Sequence, residues 1–244
     1  MPTRAGPWPG CADVRVLGLV PARGGSKGVP GKNGRDLLGQ PLLAWTLDTA
    51  RRAELLDDVV LSTDDPTLAA LGASLGAEVP FLRPEPLAGD DTPMVEVVQH
   101  ALRTLAEDGH DYDVVCLLQP TSPARPDGLV DRCITQLTTD EHDCVMTVVP
   151  VTPEAHPDWA WVEDGRGGVV LATGGVQPVP RRQDLRAAFR RDGAVYASRP
   201  ATVLAGSLYG TSVGIVETDP ELAVSIDVEA DWARAETALR RRDG

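Results

Sequence analysis

Residues 14–21 form an apolar run, VRVLGLVP, that passes without a break into a loop dense in glycine and cations. The run reads as a buried strand. The loop after it, within LVPARGGSKGVPGKN at residues 19–33, holds Gly24, Gly25, Gly28 and Gly31 together with Arg23, Lys27 and Lys32, and Arg35 follows. No acidic residue lies between Val14 and Arg35. Glycines let backbone N–H groups approach an anion closely, and the cations neutralise it. The carboxyl end of a strand is also where open α/β sheets bind ligands. Composition sharpens the point: the chain has 21 arginines but only two lysines, Lys27 and Lys32, and one asparagine, Asn33, all within seven residues. That clustering favours a phosphate-binding loop over a merely solvated basic one. The segment is not a Walker A loop, because Asn33 follows Gly31-Lys32 and Ser26 takes the first glycine position, and it lacks GxGxxG.

Beyond the loop, apolar runs alternate with helical periodicity. The pattern predicts helices at 41–52, 66–75, 93–105 and 126–137, and strands at 58–62, 78–82, 112–118 and 143–151. This β-α-β-α order predicts an α/β fold, a mostly parallel sheet with helices on both faces. From 152 to 191 the chain turns rich in Pro, Gly and Arg, with Trp159 and Trp161 alternating as in a strand. Such a stretch is too long for a plain loop and reads as a protruding β-rich insertion. Strands at 194–198 and 213–217 and a closing helix from about Ala230 complete one domain over 14–244. Residues 1–13 read as a loose tail without a secretion signal.

Three further segments carry polar chemistry. LLQPTSPARP, residues 117–126, brings Gln119, Thr121, Ser122 and Arg125 to the sheet's carboxyl edge, unless its prolines simply make a rigid turn. PRRQDLRAAFRRDGAVY, residues 180–196, has five arginines, either an anion site or a solvated face. In SIDVEAD, residues 225–231, Asp227 and Glu229 are two apart, so extended backbone would point both carboxylates to one side. Paired oxygens facing an anion loop suit Mg²⁺, whereas acids opening a helix would explain them equally. Asp231 is expected to cap that helix.

A formal net charge of −13 argues against nucleic acid or an anionic membrane as partner. The apolar runs are too short to span a bilayer. Cysteines 11, 116, 133 and 144 form no CxxC pair and read as reduced thiols of a cytoplasmic protein. The four histidines show no zinc-ligand spacing with them.

Taken together, the glycine-rich loop, Ser62-Thr63-Asp64, Phe81-Leu82-Arg83-Pro84, Gln119 to Pro123, Arg182 to Tyr196 and Ser225 to Asp227 occur in an order that resembles the cytidylyltransferases making CMP-activated sugar acids, above all CMP-N-acylneuraminate synthetases. The resemblance runs from Val16 to Leu239. It implies a Rossmann-like nucleotidyltransferase fold and a homodimer whose protruding segment reaches the partner's site. It also implies a reaction, CTP plus a 2-keto sugar acid giving CMP-sugar and pyrophosphate, with Mg²⁺. By the same resemblance, Ala22, Arg23, Gly24, Lys27, Lys32 and Asn33 contact the nucleotide, and Arg83 lies near the base. Gln119, Arg182, Arg190, Tyr196 and Tyr209 fall where the family lines its sugar pocket. Arg23, Lys27 and Asp227 make the catalytic set, with Asp227 and Glu229 at the metal. The chain departs from the family at Asp192, usually Asn, at Glu229, usually Asp, at Ala124, often Leu, and at Trp159, where some members supply a cation. A nucleotidyltransferase for another sugar or sugar phosphate, and a catalytically silent nucleotide-binding homologue, are the competing readings.

Overall fold

The computed structural model describes residues 14–25 and 28–243. Residues 1–13 and Lys27 therefore lie outside the described residues. The elements run β1 (Val16–Pro21), β2 (Asp36–Leu37), β3 (Gln40–Pro41), α1 (Leu42–Arg52), β4 (Asp58–Ser62), α2 (Pro66–Ser74), α3 (Met94–Glu107), β5 (Val114–Leu117), α4 (Leu129–Thr139), β6 (Cys144–Pro150), β7 (Trp161–Glu163), β8 (Val169–Leu171), β9 (Phe189–Ser198), α5 (Pro200–Leu204), β10 (Val213–Glu217) and α6 (Asp231–Asp243).

All six residues of β1 are buried, as a strand covered on both faces must be. Val16 and Val20 pack into a cluster with residues of α1, α2 and α4, while Leu17 and Leu19 pack into another with α3 and α5. Around this strand the six-stranded sheet has the order β10-β6-β9-β5-β1-β4. β9 alone runs against its neighbours β5 and β6, and the other pairs are parallel. The expected mostly parallel sheet with helices on both faces is thus present. A third cluster joins Val29, Leu37 and Leu42 to Val224, Ile226 and the α6 residues Trp232, Ala235 and Leu239. It seats the chain's last helix against the loop that follows β1.

Several local expectations change. The 78–82 strand reduces to isolated bridges, Val60 to Glu78 and Thr63 to Leu82, along the edge of β4. Pro93 is the N-cap of α3 rather than its first residue. Trp159 lies outside the short pair β7–β8, its indole N–H donating instead to the Val179 carbonyl at 2.6 Å. β9 starts at Phe189, five residues earlier than the apolar pattern indicates, because its first three residues are exposed and two of them, Arg190 and Arg191, are charged. Its register against β6 jumps from Arg191 opposite Val148 to Tyr196 opposite Met146, so the residues between them bulge out of the ladder. Bulges of this kind re-aim side chains and backbone beside functional sites.

Candidate active site

The site forms where β1, β4 and β5 end. The Ala22 amide donates to the Ser62 carbonyl at 3.0 Å and carries the strand pairing one residue further. The chain then turns away. Asn33 is buried and donates from Nδ2 to the Arg23 carbonyl at 3.0 Å, which closes the glycine loop on itself. Lys32 Nζ donates to the Ile226 carbonyl at 2.8 Å. Burial holds the Lys32 pKa below its ordinary value, and the Asp227 charge works against that shift. At Gly28 any side chain is excluded, since a Cβ there would sit 2.0 Å from the Asp227 carbonyl oxygen. The loop and the 225–231 segment are therefore in contact.

Arg23, Lys32, Asn33 and Arg83 line one cleft with Gln119 and Thr121 from the loop after β5. These residues are as much as 98 positions apart, and the sheet edge gathers them. Arg83 is only 5% exposed, and its Nε and one terminal nitrogen make no hydrogen bond. The nearest carboxylate oxygen, on Asp64, is 3.7 Å from that terminal nitrogen. Buried polar groups are nearly always satisfied, so unpaired guanidinium nitrogens on a residue that lines a cleft call for a further partner, a ligand or an ordered water. Two acids meanwhile serve the cationic side. Asp64 accepts from the Gly24 amide at 3.1 Å, and Asp90 pairs with Arg23 at 2.5 Å. An incoming phosphate would exchange with these carboxylates. Composition and spacing did not single out either acid for this role; only the position of Asp64 at the end of a strand hints at it.

The acidic segment differs from its expected form. Residues 224–227 belong to no strand, and Glu229 sits in the turn leading into α6, so the alternation expected of extended backbone is absent. Both Glu229 oxygens accept from Arg35, each at 2.6 Å, and the Arg35 guanidinium lies 4.3 Å over the Trp232 ring. Those hydrogen bonds hold the Glu229 carboxyl below its usual pKa. Asp231 does not cap α6 forward. It is the helix's first residue, and its carboxylate accepts from the preceding amides of Asp227 and Val228, both at 3.0 Å. No group of three or more His, Cys, Asp or Glu able to hold a metal occurs among the described residues. Mg²⁺ at phosphoryl-transfer sites takes one or two carboxylates plus substrate phosphates and water. Asp227, in charge contact with Lys32, fits that donor set, whereas Glu229 is engaged elsewhere.

Of the remaining candidates, Arg190 and Tyr196 lie on β9, Arg182 before it, and Tyr209 between α5 and β10. Tyr196 stacks edge-on to Tyr209 with ring centroids 6.1 Å apart, and Arg191 donates to the Tyr209 hydroxyl at 2.7 Å. Burial, then the neighbouring Tyr209, push the Tyr196 phenol up to about 12. Arg190 and Arg191 are both exposed, and it is Arg191, opposite Val148, whose guanidinium joins the tyrosines. Arg182 begins a short 3-10 turn and faces a separate hollow with Pro150, His156 and Phe189. Arg125, expected at the cleft edge, is fully buried behind it.

The cytidylyltransferase family model matches residues 17–205 of the chain. The chain belongs to the cytidylyltransferase family. It is a nucleotidyltransferase by that membership. It is 31% identical over 242 residues to the CMP-N,N'-diacetyllegionaminic acid synthase of Legionella pneumophila, covering 93% of this chain and 97% of that protein. It is 30% identical over 229 residues to N-acylneuraminate cytidylyltransferase A of Danio rerio, covering 93% of this chain but only 51% of that longer one. Among solved structures, a CMP:2-keto-3-deoxy-manno-octonic acid synthetase complexed with CTP superposes with a TM-score of 0.71 at 17% identity, over 94% of this chain and all of that one. The last likeness concerns the fold.

For this cytidylyltransferase, Arg83→Met should raise the KM for its nucleotide by roughly 10- to 100-fold, the equivalent of about 1.5–3 kcal/mol for a lost charged hydrogen bond. Steady-state kinetics check this, and a KM within twofold of wild type would make the buried Arg83 purely structural.

Proposed function

We propose that this cytidylyltransferase activates a 2-keto sugar acid of the nonulosonate type with CTP, releasing pyrophosphate. The observation that carries the reading is the cleft itself. Arg23, Lys32 and Arg83 line it together with Gln119 and Thr121; the cations suit a nucleoside triphosphate, and the amide and hydroxyl suit a polar acceptor. The names of the relatives, which make CMP-linked legionaminic and neuraminic acids, support the acceptor class.

The anomeric hydroxyl of the acid attacks the α-phosphorus of CTP in line, and the bond from that phosphorus to the bridging oxygen breaks. Pyrophosphate leaves with the electron pair, and the hydroxyl proton passes to solvent. Transfer of this kind depends on positioning and charge neutralisation more than on covalent participation by the protein. Arg23 and Lys32, with Lys27 added by the family resemblance, would neutralise the leaving phosphates. Mg²⁺, when bound, adds charge compensation at the phosphate oxygens, and Asp227 is the residue that would hold it. Pyrophosphate release measured over four NTPs and several keto-sugar acids, with and without a chelator, tests the whole reading. CTP with a nonulosonate should be turned over preferentially and turnover should fall on chelation. Equal use of all four nucleotides would contradict the cytidylyl assignment, and indifference to chelation would contradict the metal.

We also read 14–244 as one domain whose 152–191 segment serves as a dimerisation arm. Trp161, Val162, Val169 and Val170 of the β7–β8 pair are exposed, and an isolated two-stranded ribbon is marginal in water without a surface to cover it. A second copy of the chain is the partner proposed, with the cytoplasm, where CTP is made, as the place of action. Sedimentation should show a dimer that Trp161→Glu weakens. A fully active monomer at assay concentration would contradict the arm's role.

A further inference from the structure

We propose that Arg125 is a positioning residue for Gln119, and through it for the acceptor. The inference rests on the reading of Gln119 as an acceptor contact. Arg125 is only 1% exposed, in the loop that follows β5. Its guanidinium donates from Nε to the Ala194 carbonyl at 2.7 Å, from one terminal nitrogen to Thr46 Oγ1 at 2.8 Å, and from the other to the Gln119 carbonyl at 2.5 Å. A planar fork with fixed donor directions is what such a three-way tie requires, and a lysine cannot supply it.

The far side of the tie is held as firmly. Asp192, in the β9 bulge and 7% exposed, accepts from the Ala194 amide at 2.9 Å, from Thr218 Oγ1 at 2.6 Å and from Thr147 Oγ1. Ala194 is thus fixed at its carbonyl by Arg125 and at its amide by Asp192. Between them Gly193, at φ +82°, lets the backbone pass close to the Gln119 side chain, where a Cβ would lie 3.2 Å from Oε1. Gln119 is held at its carbonyl by Arg125 and bounded at its carboxamide by the bulge. Buried charged groups such as Arg125 and Asp192 are weak evidence for stability, because well-packed apolar side chains often do as well in their place. What apolar side chains could not reproduce is this registry between the 119–125 loop and β9.

The test compares Arg125→Lys, the double variant Arg125→Met/Asp192→Asn, and Gln119→Ala, with CTP and with N-acetylneuraminate, N,N'-diacetyllegionaminate and pseudaminate as acceptor probes. The double variant leaves no orphaned buried charge, and thermal melting verifies that it folds. Arg125→Lys, which keeps a cation near Asp192, serves if it does not. The acceptor KM should rise about tenfold in each, as for one lost hydrogen bond, with the CTP KM within twofold of wild type. Adding Gln119→Ala to either Arg125 background should bring no further rise. Parallel losses in both KM values, or a Gln119→Ala effect that adds fully to that of Arg125, would overturn the proposal. If Gln119→Ala raises the acceptor KM and the Arg125 variants do not, positioning fails while the acceptor reading stands. If Gln119→Ala changes nothing, both fail.

Discussion

A strand buried on both faces has nowhere polar to go except off its end, and the site in this protein follows from that. β1 lies inside the sheet between β4 and β5, with helices above and below. At its carboxyl end the chain returns to solvent, and the loops after the two neighbouring strands emerge beside it. The loop after β1 is then drawn across the sheet edge. Lys32 donates to the Ile226 carbonyl, and the Ile226 amide donates to the Thr121 carbonyl at 2.8 Å. A single residue, Ile226, five positions before α6, thereby links the cationic loop to the loop carrying Gln119. The apolar cluster under Trp232 keeps that link in place.

Charge works locally in this molecule. A net −13 repels a triphosphate at long range, but screening confines that repulsion to about 8 Å at physiological salt. Within the cleft Arg23, Lys32 and Arg83 dominate, and the nearby Asp64 and Asp90 hold those groups in order before any ligand arrives. A phosphate bound there would exchange one anion for another. That lowers affinity relative to bare cations but avoids like-charge repulsion in the free protein.

Most of the sheet was legible because its strands are continuous apolar runs, which need no partner to be recognised; β4 and β10 fall where the pattern puts them. The cleft was legible for a compositional reason, since Lys and Asn are so rare here that Lys32 and Asn33 stand out. Other features depend on distant chain. Arg125 is a buried guanidinium, and the Ala194 and Gln119 carbonyls, Thr46 and the nearby Asp192 charge make its burial tolerable. Glu229 was paired with Asp227 by a period of two that holds only in a strand, and a turn at that point hands it to Arg35. The exposed start of β9 gave no apolar signal, so Arg190 and Arg191 could not be told apart by face.

The central claim is that the loop after β1 receives the phosphates of the nucleotide. Calorimetric titration of CMP, CDP and CTP into the wild type and into Lys32→Met tests it most directly. The account predicts an affinity loss that grows with each phosphate and reaches roughly tenfold or more for CTP. An equal loss for all three nucleotides would place Lys32 away from the phosphate chain and contradict the account.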